Sequence, residues 1–393
     1  MTDCAIIGVG LTRFGKQLEA SLQTLAGESI ELALRDADIE RDEIDTVFVA
    51  NTVSAVTTGQ VAIVGQVALG GSGIDGVPVY NVDNACAGSS TAVNLATHAL
   101  RAGAAEVVLV VGVEKLYAAD RATTYRGLNG AADLEWATST GTDLERESVF
   151  VKEVYAERLR DYQAQRELDP RTLAFIAVKN RRHAAANPIA QYRDPLTVEE
   201  VLAARPVAPP ITALMCSPIA DGASAAIVVS ERRGRRDPRA IWIRGSAVSM
   251  GSPPPRPKST IARVAARAYD EAGVRPVDVD VAEVHDATAF SELLAYEELG
   301  LCEPGEGAAL VARGSTTIGG EIPVNPSGGL ESRGHPLAAT GIAQLAELTA
   351  QLRGEAGDRQ VPSASVGVAE TAGGFAGGDS AAVAVIVLGN NPR

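Results

Sequence analysis

The stretch NACAGSSTAVNLATHALRAGAAEVVLVVGVE, residues 84–114, decides the fold. It opens with a cysteine among small residues, continues with the apolar spacing of a helix and ends in a valine run typical of a buried strand. A helix that leads into a buried strand is half of an α/β unit. A chain built from such units should show the same pattern again.

The pattern recurs in the second half of the chain. Residues 351–370, QLRGEAGDRQVPSASVGVAE, repeat the order of residues 99–114: a helix that ends in arginine and glycine, a connector, and a strand of small residues. Residues 36–51 and 271–286 also match each other without a gap, each with a helix end, a short connector and a strand. Two copies of one unit predict a duplicated α/β fold.

The seam between the two copies is predicted near residues 231–239, ERRGRRDPR. It divides the chain into an N-terminal half, 1–236, and a C-terminal half, 237–393. The N-terminal half carries an insertion, with a loop domain at about 117–210, that is rich in polar residues, glycine and proline. Insertions of this kind often cover a functional site.

Composition and charge restrict the classes of partner. The chain of 393 residues has a net charge of −14, which disfavours binding to nucleic acid and to anionic membranes. It has no long uninterrupted apolar run and no signal-peptide pattern, so we expect a cytoplasmic protein without membrane insertion. Its cysteines lie far apart and lack zinc-ligand spacing, so we expect reduced thiols and no metal site; they are Cys4, Cys86, Cys216 and Cys302.

Cys86 is the first candidate nucleophile. It lies between a predicted strand, VPVYNVD, and the predicted helix, so its sulfur would lie at a helix N-terminus that favours the thiolate. The alternative is a buried small hydrophobic residue, which is the common environment of free cysteine. Position alone leaves both interpretations open.

The four histidines of the chain supply the candidate bases. His335 lies in the glycine-rich start of the second repeat's helix, and His285 follows that repeat's first strand. If the halves are related by symmetry, both residues meet Cys86 at one face of the sheet, and a thiol beside an imidazole is the pair that acyl transfer requires. His98 falls within a helix and is predicted to be structural or solvent-facing; His183, in KNRRHAAANP, is either a structural cap or a neighbour of a substrate phosphate.

Seven stretches together resemble the thiolase superfamily, in its sterol-carrier or lipid-transfer-protein branch. They occur in the family's order and cover the chain from end to end: AIIGVGLTRFG, NACAGSSTA, KNRRHAAANPIAQYR, SPIADGAS, EVHDATAFSELLAYEELGL, NPSGGLESRGHPLAATG and ETAGGFAGGDSAAVAVIVLG. The resemblance implies the five-layered αβαβα thiolase fold, activity of the acetyl-CoA acyltransferase class, and a homodimer or tetramer. It also implies a coenzyme A thioester as substrate, without a permanently bound cofactor, and a loop domain that covers coenzyme A.

The same resemblance assigns roles to residues. It implies that Cys86 is the acyl-accepting nucleophile and that His335 is the base that activates it. It implies that His285, where many thiolases have asparagine, helps to form an oxyanion hole. The backbone N–H groups of Gly373 and Gly374 would supply further donors.

Three positions depart from the family pattern. Many thiolases have a second cysteine near residue 370, which moves a proton at the substrate α-carbon, and this chain has Glu370 there. A carboxyl group in an apolar pocket has a raised pKa and could move that proton; the alternative is a carboxylate that only accepts hydrogen bonds from the glycine loop. Thr288 replaces a usual aromatic residue and Ala338 a common glycine, and both predict a substrate pocket for an acyl group other than acetyl.

Three functions compete. The first is an acyl-CoA acyltransferase that forms or cleaves a C–C bond beside a thioester through an acyl intermediate on Cys86. The second is a retro-aldolase for β-hydroxyacyl-CoA, as in steroid side-chain degradation, which needs a small OB-fold, zinc-ribbon partner and for which Tyr296 is the candidate tyrosine. The third is a lipid-transfer or scaffold subunit without turnover. Retention of both Cys86 and His335 favours the first.

Overall fold

The computed structural model describes residues 3–252 and 258–392. The strands of these two ranges are β1 Cys4–Leu11, β2 Thr46–Ala50, β3 Val79–Val82, β4 Val107–Glu114, β5 Pro206–Ala208, β6 Ile211–Thr212, β7 Gly222–Ser230, β8 Ile241–Met250, β9 Val281–Glu283, β10 Val366–Ala376 and β11 Asp379–Gly389. The α-helices are α1 Leu22–Ala37, α2 Ser54–Thr57, α3 Val64–Ala68, α4 Gly88–Arg101, α5 Arg121–Asn129, α6 Leu134–Ser139, α7 Ala156–Gln165, α8 Pro170–Ala185, α9 Val198–Ala203, α10 Glu231–Gly234, α11 Thr260–Ala272, α12 Ala289–Glu298, α13 Gly307–Ala312, α14 Gly329–Arg333 and α15 Thr340–Arg353.

Nine of the strands form one mixed sheet in the order β3-β2-β4-β7-β1-β8-β11-β10-β9. Strand β2 runs parallel to β3 and β4 in the first half, and β9 runs parallel to β10 in the second. The two halves join where β1 and β8 pair antiparallel from Cys4↔Ile243 to Ile6↔Ile241. Strands β5 and β6 form a separate two-stranded ribbon.

The two halves repeat each other closely. Helix α4 follows a 3-10 turn at Ala85–Ala87, and α15 follows a 3-10 turn at Leu337–Ala339; both helices have 14 residues. Two aspartates also correspond, Asp45 just before β2 and Asp280 just before β9. Asp45 accepts backbone hydrogen bonds at the start of β4, and Asp280 accepts them at the start of β10. The structure therefore confirms the duplicated α/β fold.

Side-chain packing arranges the halves in five layers. Helices α4 and α15 lie in the middle, where Val93 and Leu345 share one apolar core with residues of both half-sheets. Outside the first half-sheet, α1 packs against β4 and β7, and outside the second, α11 and α12 pack against β11. Alternating helical and sheet layers of this kind give the predicted αβαβα arrangement.

The central helices are in contact near their N-terminal ends. A Cβ atom added to Gly341 would lie 2.1 Å from Ser90 Oγ and 2.6 Å from the Ser90 backbone nitrogen. The Ile342 N–H donates to Ser89 Oγ at 3.1 Å. Glycine is therefore required at this crossing. The crossing brings the starts of the two helices together, and with them Cys86 and His335.

The insertion forms a helical layer between β4 and β7. It contains α5 to α9, the β5–β6 ribbon and a π-helical turn at Phe150–Tyr155 that leads into α7. Leu173 of α8 and Phe290 of α12 belong to one apolar cluster, so the insertion packs on the second half. The chain then rejoins the sheet through β7, as predicted. Within the described residues, no helix is both long and apolar enough to cross a membrane.

Candidate active site

Cys86 lies in the 3-10 turn between β3 and α4. The preceding residue, Ala85, has a positive φ of 48°, which is uncommon for alanine and marks a tight turn. Backbone from the second half lies against this turn: a Cβ atom on Gly373 would lie 2.2 Å from the Asn84 carbonyl oxygen and 2.7 Å from the Ala87 nitrogen. The turn and the glycine strand hold Cys86 at the wall of a cavity.

Both predicted histidines meet this cysteine. One nitrogen of His285, one nitrogen of His335 and the Cys86 sulfur all lie within 4.8 Å of one another. The two imidazole rings are 5.0 Å apart between centroids and nearly perpendicular, at 81°. The structure therefore brings together the thiol and the two imidazoles that the sequence singled out.

A hydrogen bond fixes the tautomer of His335. Its Nδ1 lies 2.8 Å from Thr340 Oγ1, and that hydroxyl donates to the Pro336 carbonyl oxygen at 3.2 Å. A threonine hydroxyl has one proton, so the Thr340 oxygen accepts a hydrogen bond from His335 Nδ1–H. The other ring nitrogen, Nε2, then carries the free lone pair and can act as a base.

The thiol and the imidazole are both neutral at rest. Burial, followed by the negative charge of Glu114, raises the pKa of Cys86 to about 12, while the backbone N–H of Gly374 acts in the opposite direction. Burial also holds the pKa of His335 well below its usual value, and His285 and Arg333 lower it further. The expectation that the helix N-terminus favours a resting thiolate is corrected, because desolvation outweighs the helix dipole here. A neutral base suits proton removal from the thiol.

Glu370 lies in β10 at the same site. Its Oε2 accepts a hydrogen bond from the His285 backbone N–H at 2.9 Å, and its buried Oε1 has no hydrogen-bond partner among the described residues. Burial is the main cause that raises the pKa of Glu370 to about 8. The carboxyl group is therefore mostly protonated at neutral pH, with one oxygen free to exchange a proton.

One of the two backbone donors predicted from the glycine motif, the N–H of Gly374, lies beside the nucleophile. The N–H groups of Gly374 and of Cys86 itself both stabilise negative charge on the Cys86 sulfur. Gly374 has a φ of +63°, and a Cβ atom there would lie 2.7 Å from the Ala131 carbonyl oxygen. Only glycine fits this conformation without strain.

Comparison with known families agrees with this geometry. The profile of the thiolase N-terminal domain matches residues 4–201, and the profile described as thiolase C-terminal domain-like matches residues 248–389. This chain belongs to the thiolase family. It is an enzyme of the thiolase acyltransferase class.

Curated thiolases match almost the full chain. Acetyl-CoA acetyltransferase of Methanothermobacter thermautotrophicus is 36% identical over 384 residues, which cover 96% of this chain and 98% of the relative. Human sterol carrier protein 2 is 36% identical, covering 94% of this chain and 69% of the relative. Benzoylsuccinyl-CoA thiolase subunit BbsB of Thauera aromatica is 34% identical, covering 94% of each.

A solved structure is similar over the same extent. The Ltp2–ChsH2(DUF35) aldolase contains a chain that matches 98% of this thiolase, with a TM-score of 0.79 and 25% identity, and the match covers 97% of that chain.

The cavity of this thiolase has a volume of about 570 Å³. Besides Cys86, His285, His335, Glu370 and Gly374, its wall includes residues that the sequence argument missed, chiefly Tyr155, Arg158, Ser291 and Glu298. Tyr155 ends the π-helical turn. Burial is the main cause that raises the pKa of Tyr155, and Cys86 and Glu370 lie close enough to raise it further. A π-helical turn often marks a functional position, but sequence periodicity does not reveal it.

Four predicted substrate contacts do not line this cavity: Gly373, His183, Thr288 and Ala338. Both ring nitrogens of His183 are used inside the protein, Nδ1 at 2.9 Å from the Asn325 carbonyl and Nε2 accepting from the Ile318 N–H at 3.1 Å. Burial lowers the pKa of His183 to about 3, so it is a neutral structural residue. The structure therefore favours the structural alternative for His183.

Thr288 and Ala338, which were predicted to contact the substrate, lie outside the cavity wall for different reasons. The Thr288 hydroxyl caps α12 by accepting from the Ser291 N–H at 3.2 Å, so Ser291 contacts the cavity instead. Ala338 occupies the position in the second 3-10 turn that Cys86 occupies in the first. It is fully buried against β4, where a Cβ atom on Gly112 would lie 2.4 Å from its carbonyl oxygen.

Tyr296, the tyrosine named for the aldolase alternative, also lies outside the cavity wall. Its hydroxyl donates to the buried Glu292, one helical turn earlier in α12. The tyrosine that approaches the nucleophile is Tyr155.

Proposed function

We propose that this thiolase is an acyl-CoA acyltransferase that cleaves or forms a C–C bond beside a thioester through an acyl intermediate on Cys86. The proposal is supported chiefly by one observation: the Cys86 thiol, the His335 base and the protonated Glu370 all line one cavity. These three groups are the nucleophile, base and acid that the reaction needs.

In the cleavage direction, His335 Nε2 removes the Cys86 proton as the sulfur attacks the β-carbonyl carbon of a β-ketoacyl thioester. The bond between the α- and β-carbons then breaks, the acyl group stays on sulfur, and the α-carbon takes the proton of Glu370. A second coenzyme A thiol gives its proton to the Glu370 carboxylate and removes the acyl group, and the regenerated Cys86 recovers the proton from His335. Condensation is the reverse of these steps.

The donors around the site supply electrostatic stabilisation. The N–H groups of Cys86 and Gly374, which already face the sulfur, bind the oxygen that becomes negative on the attacked carbon. Burial lowers the pKa of His285 to about 4, so its ring is neutral. Its Nδ1 has no hydrogen-bond partner among the described residues, and the ring contributes a donor to the thioester oxygen of the leaving group.

Coenzyme A is the proposed carrier because the cavity wall is cationic in an acidic protein. The wall includes five basic residues from the insertion, which are Arg121, Arg146, Lys152, Arg158 and Arg205, while the chain carries a net charge of −14. Cationic side chains bind phosphate groups, and no permanently bound cofactor is needed for the steps above.

The test is mass spectrometry of the intact protein after incubation with short acyl-CoA esters. We expect one acyl adduct, located on Cys86 and absent from Cys86→Ser. Cys216→Ser is the matched control, because Cys216 also lines the cavity and burial raises its pKa to about 12 as well. An adduct that persists in Cys86→Ser, or that disappears in Cys216→Ser, would contradict the proposal.

A retro-aldolase is the second candidate, supported by similarity to the Ltp2–ChsH2(DUF35) aldolase and by Tyr155 at the cavity. In this function a small OB-fold, zinc-ribbon protein would be a required partner. Cleavage of a β-hydroxyacyl-CoA that continues in Cys86→Ala but stops in Tyr155→Phe would favour the aldolase over the acyltransferase.

A further inference from the structure

One face of α12 extends the cavity beyond Cys86. Ser291, Leu294, Ala295 and Glu298 all line it, and their spacing places them on the same side of the helix. From Ser291 to Glu298 this face is about 10 Å long, at roughly 1.5 Å per residue. The wall is polar at its start, apolar in the middle and polar again at its end.

The far end of this face carries charged groups. Arg158, one turn after Tyr155, lines the cavity there and donates to Asp379 at 3.2 Å. The charge of Arg158 also acts on the carboxyl groups of Glu298 and Glu370. An arginine has five N–H donors, and Asp379 accepts one of them.

The balance of charge at the far end disfavours a further anion. Two carboxyl groups interact with one guanidinium there: Asp379 accepts a hydrogen bond from Arg158 at 3.2 Å, and Glu298 lies close enough for the charge of Arg158 to act on it. Burial raises the pKa of Glu298, while a hydrogen bond from the Ser259 side chain and the charge of Arg158 lower it. A hydroxyl group can hydrogen-bond to the Glu298 carboxyl group, and Arg158 can donate to a hydroxyl or a ketone.

We propose that the acyl chain accepted by Cys86 is amphipathic, with an apolar middle and an uncharged polar end, a hydroxyl or a ketone, held by Arg158 and Glu298. This inference rests on the proposed acyltransferase and names its substrate class. The apolar middle packs on Leu294, Ala295 and Ile261, all on the cavity wall.

The physical reason is the cost of buried polar groups without partners. A plain alkyl chain would fill the cavity and remove water from Arg158 and Glu298 without replacing its hydrogen bonds. A terminal carboxylate would bring a negative charge beside Asp379. A hydroxyl or ketone accepts from Arg158 without adding charge, and a hydroxyl can also hydrogen-bond to Glu298.

The experiment measures binding and turnover separately. Calorimetry on Cys86→Ala gives the Kd of octanoyl-CoA, ω-hydroxyoctanoyl-CoA and ω-carboxyoctanoyl-CoA, and intact mass gives the acylation rate of the wild-type protein with each. We expect the ω-hydroxy ester to bind and react roughly tenfold better than either of the other two. Equal or better binding of the alkyl or the carboxylate ester would overturn the inference.

Variants locate the preference at the far end. Glu298→Leu should reduce the ratio of ω-hydroxyoctanoyl to octanoyl affinity to about one, and Glu298→Gln should keep most of it, because glutamine retains a hydrogen-bonding oxygen. Glu303→Gln, at an exposed carboxylate beyond α12, is the matched control and should leave the ratio unchanged. A ratio unaffected by Glu298→Leu contradicts the assignment.

The two proposals fail in different ways. If Cys86 is never acylated but the binding preference is present, the acyltransferase fails and the pocket assignment stands. If Cys86 is acylated equally by all three esters, the substrate class fails and the acyltransferase stands.

Discussion

The Thr340 hydroxyl decides which nitrogen of His335 can act as a base. It accepts from Nδ1–H because its own proton is donated to the Pro336 carbonyl. The hydroxyl therefore acts on the reaction through His335 and is a positioning group. Its effect can be measured on the acylation of Cys86 alone, before any C–C bond is formed or broken.

Thr340→Val should slow acylation of Cys86 by about tenfold to a hundredfold, because the buried Nδ1–H loses its acceptor and the tautomer is no longer fixed. Single-turnover intact mass with acetyl-CoA measures the rate. Thr340→Ser keeps the hydroxyl and should retain most of it. Equal losses in the serine and valine variants would mean that packing, and not the hydrogen bond, is responsible.

Glu370 predicts a pH dependence of defined sign. Its pKa is raised to about 8, so the proton it donates in cleavage is present below that pH and lost above it. The rate of C–C cleavage should therefore fall as pH rises through about 8, while condensation, which needs the carboxylate, should gain over the same range. Initial rates in both directions between neutral and alkaline pH measure this.

Glu370→Gln separates the two half-reactions. Glutamine cannot donate the proton, so C–C cleavage should fall by about 10²- to 10⁴-fold, while acylation of Cys86 from a simple acyl-CoA continues. Loss of both steps to the same extent would show that Glu370 supports the fold of the site and not the proton transfer. This outcome would favour the hydrogen-bonding alternative for the carboxylate.

At the scale of elements, the site depends on the crossing of α4 and α15. Each helix is preceded by a 3-10 turn, and the two N-terminal ends touch at Gly341 and Ser90. The duplication puts Cys86 on one of these turns and His335 just before the other. A change in the distance between the helices would therefore alter both stability and chemistry.

Gly341→Ala should lower the free energy of unfolding by about 1–3 kcal/mol, because its methyl group would overlap Ser90. Thermal and denaturant unfolding measure the change. Gly27→Ala in α1 is the matched control, since a Cβ atom there meets nothing within 4 Å; it should be neutral or slightly stabilising. Similar losses in both variants would contradict the close crossing.

At the scale of the whole molecule, one edge of the large sheet is open. Strand β3 ends the sheet, and Tyr80 on it is 53% exposed, with the nearby Val61 and Ile63 exposed at 78% and 61%. An unpaired edge beside an apolar patch is a surface that proteins normally cover. We therefore propose this edge as the contact of the predicted homodimer.

Light scattering after size-exclusion chromatography should give twice the mass of the chain, and Tyr80→Lys should shift the protein toward the monomer, because a charge would be buried at the contact. Val277→Lys changes another exposed apolar residue, 77% accessible, in the second half, and should leave the mass unchanged. A monomeric wild-type protein, or a Tyr80→Lys variant that stays dimeric, would overturn this contact.

The amino-acid sequence alone determined the duplicated fold, because helical and strand periodicity and the repeat at residues 99–114 and 351–370 are local patterns. The scarcity of histidine limited the candidate bases, and the resemblance to the thiolase superfamily assigned the nucleophile to Cys86 and the base to His335. Their meeting follows from the duplication, since equivalent helix starts lie together.

Only the tertiary structure decided the protonation states and the shape of the pocket. Burial outweighs the helix dipole at Cys86 and raises the pKa of Glu370, and burial depends on every layer around a side chain. In the structure, Thr288 caps a helix and His183 hydrogen-bonds to a buried carbonyl group. Tyr155 and Glu298, which belong to separate elements, both line the cavity. Such contacts join residues far apart in the chain, so no local sequence pattern predicts them.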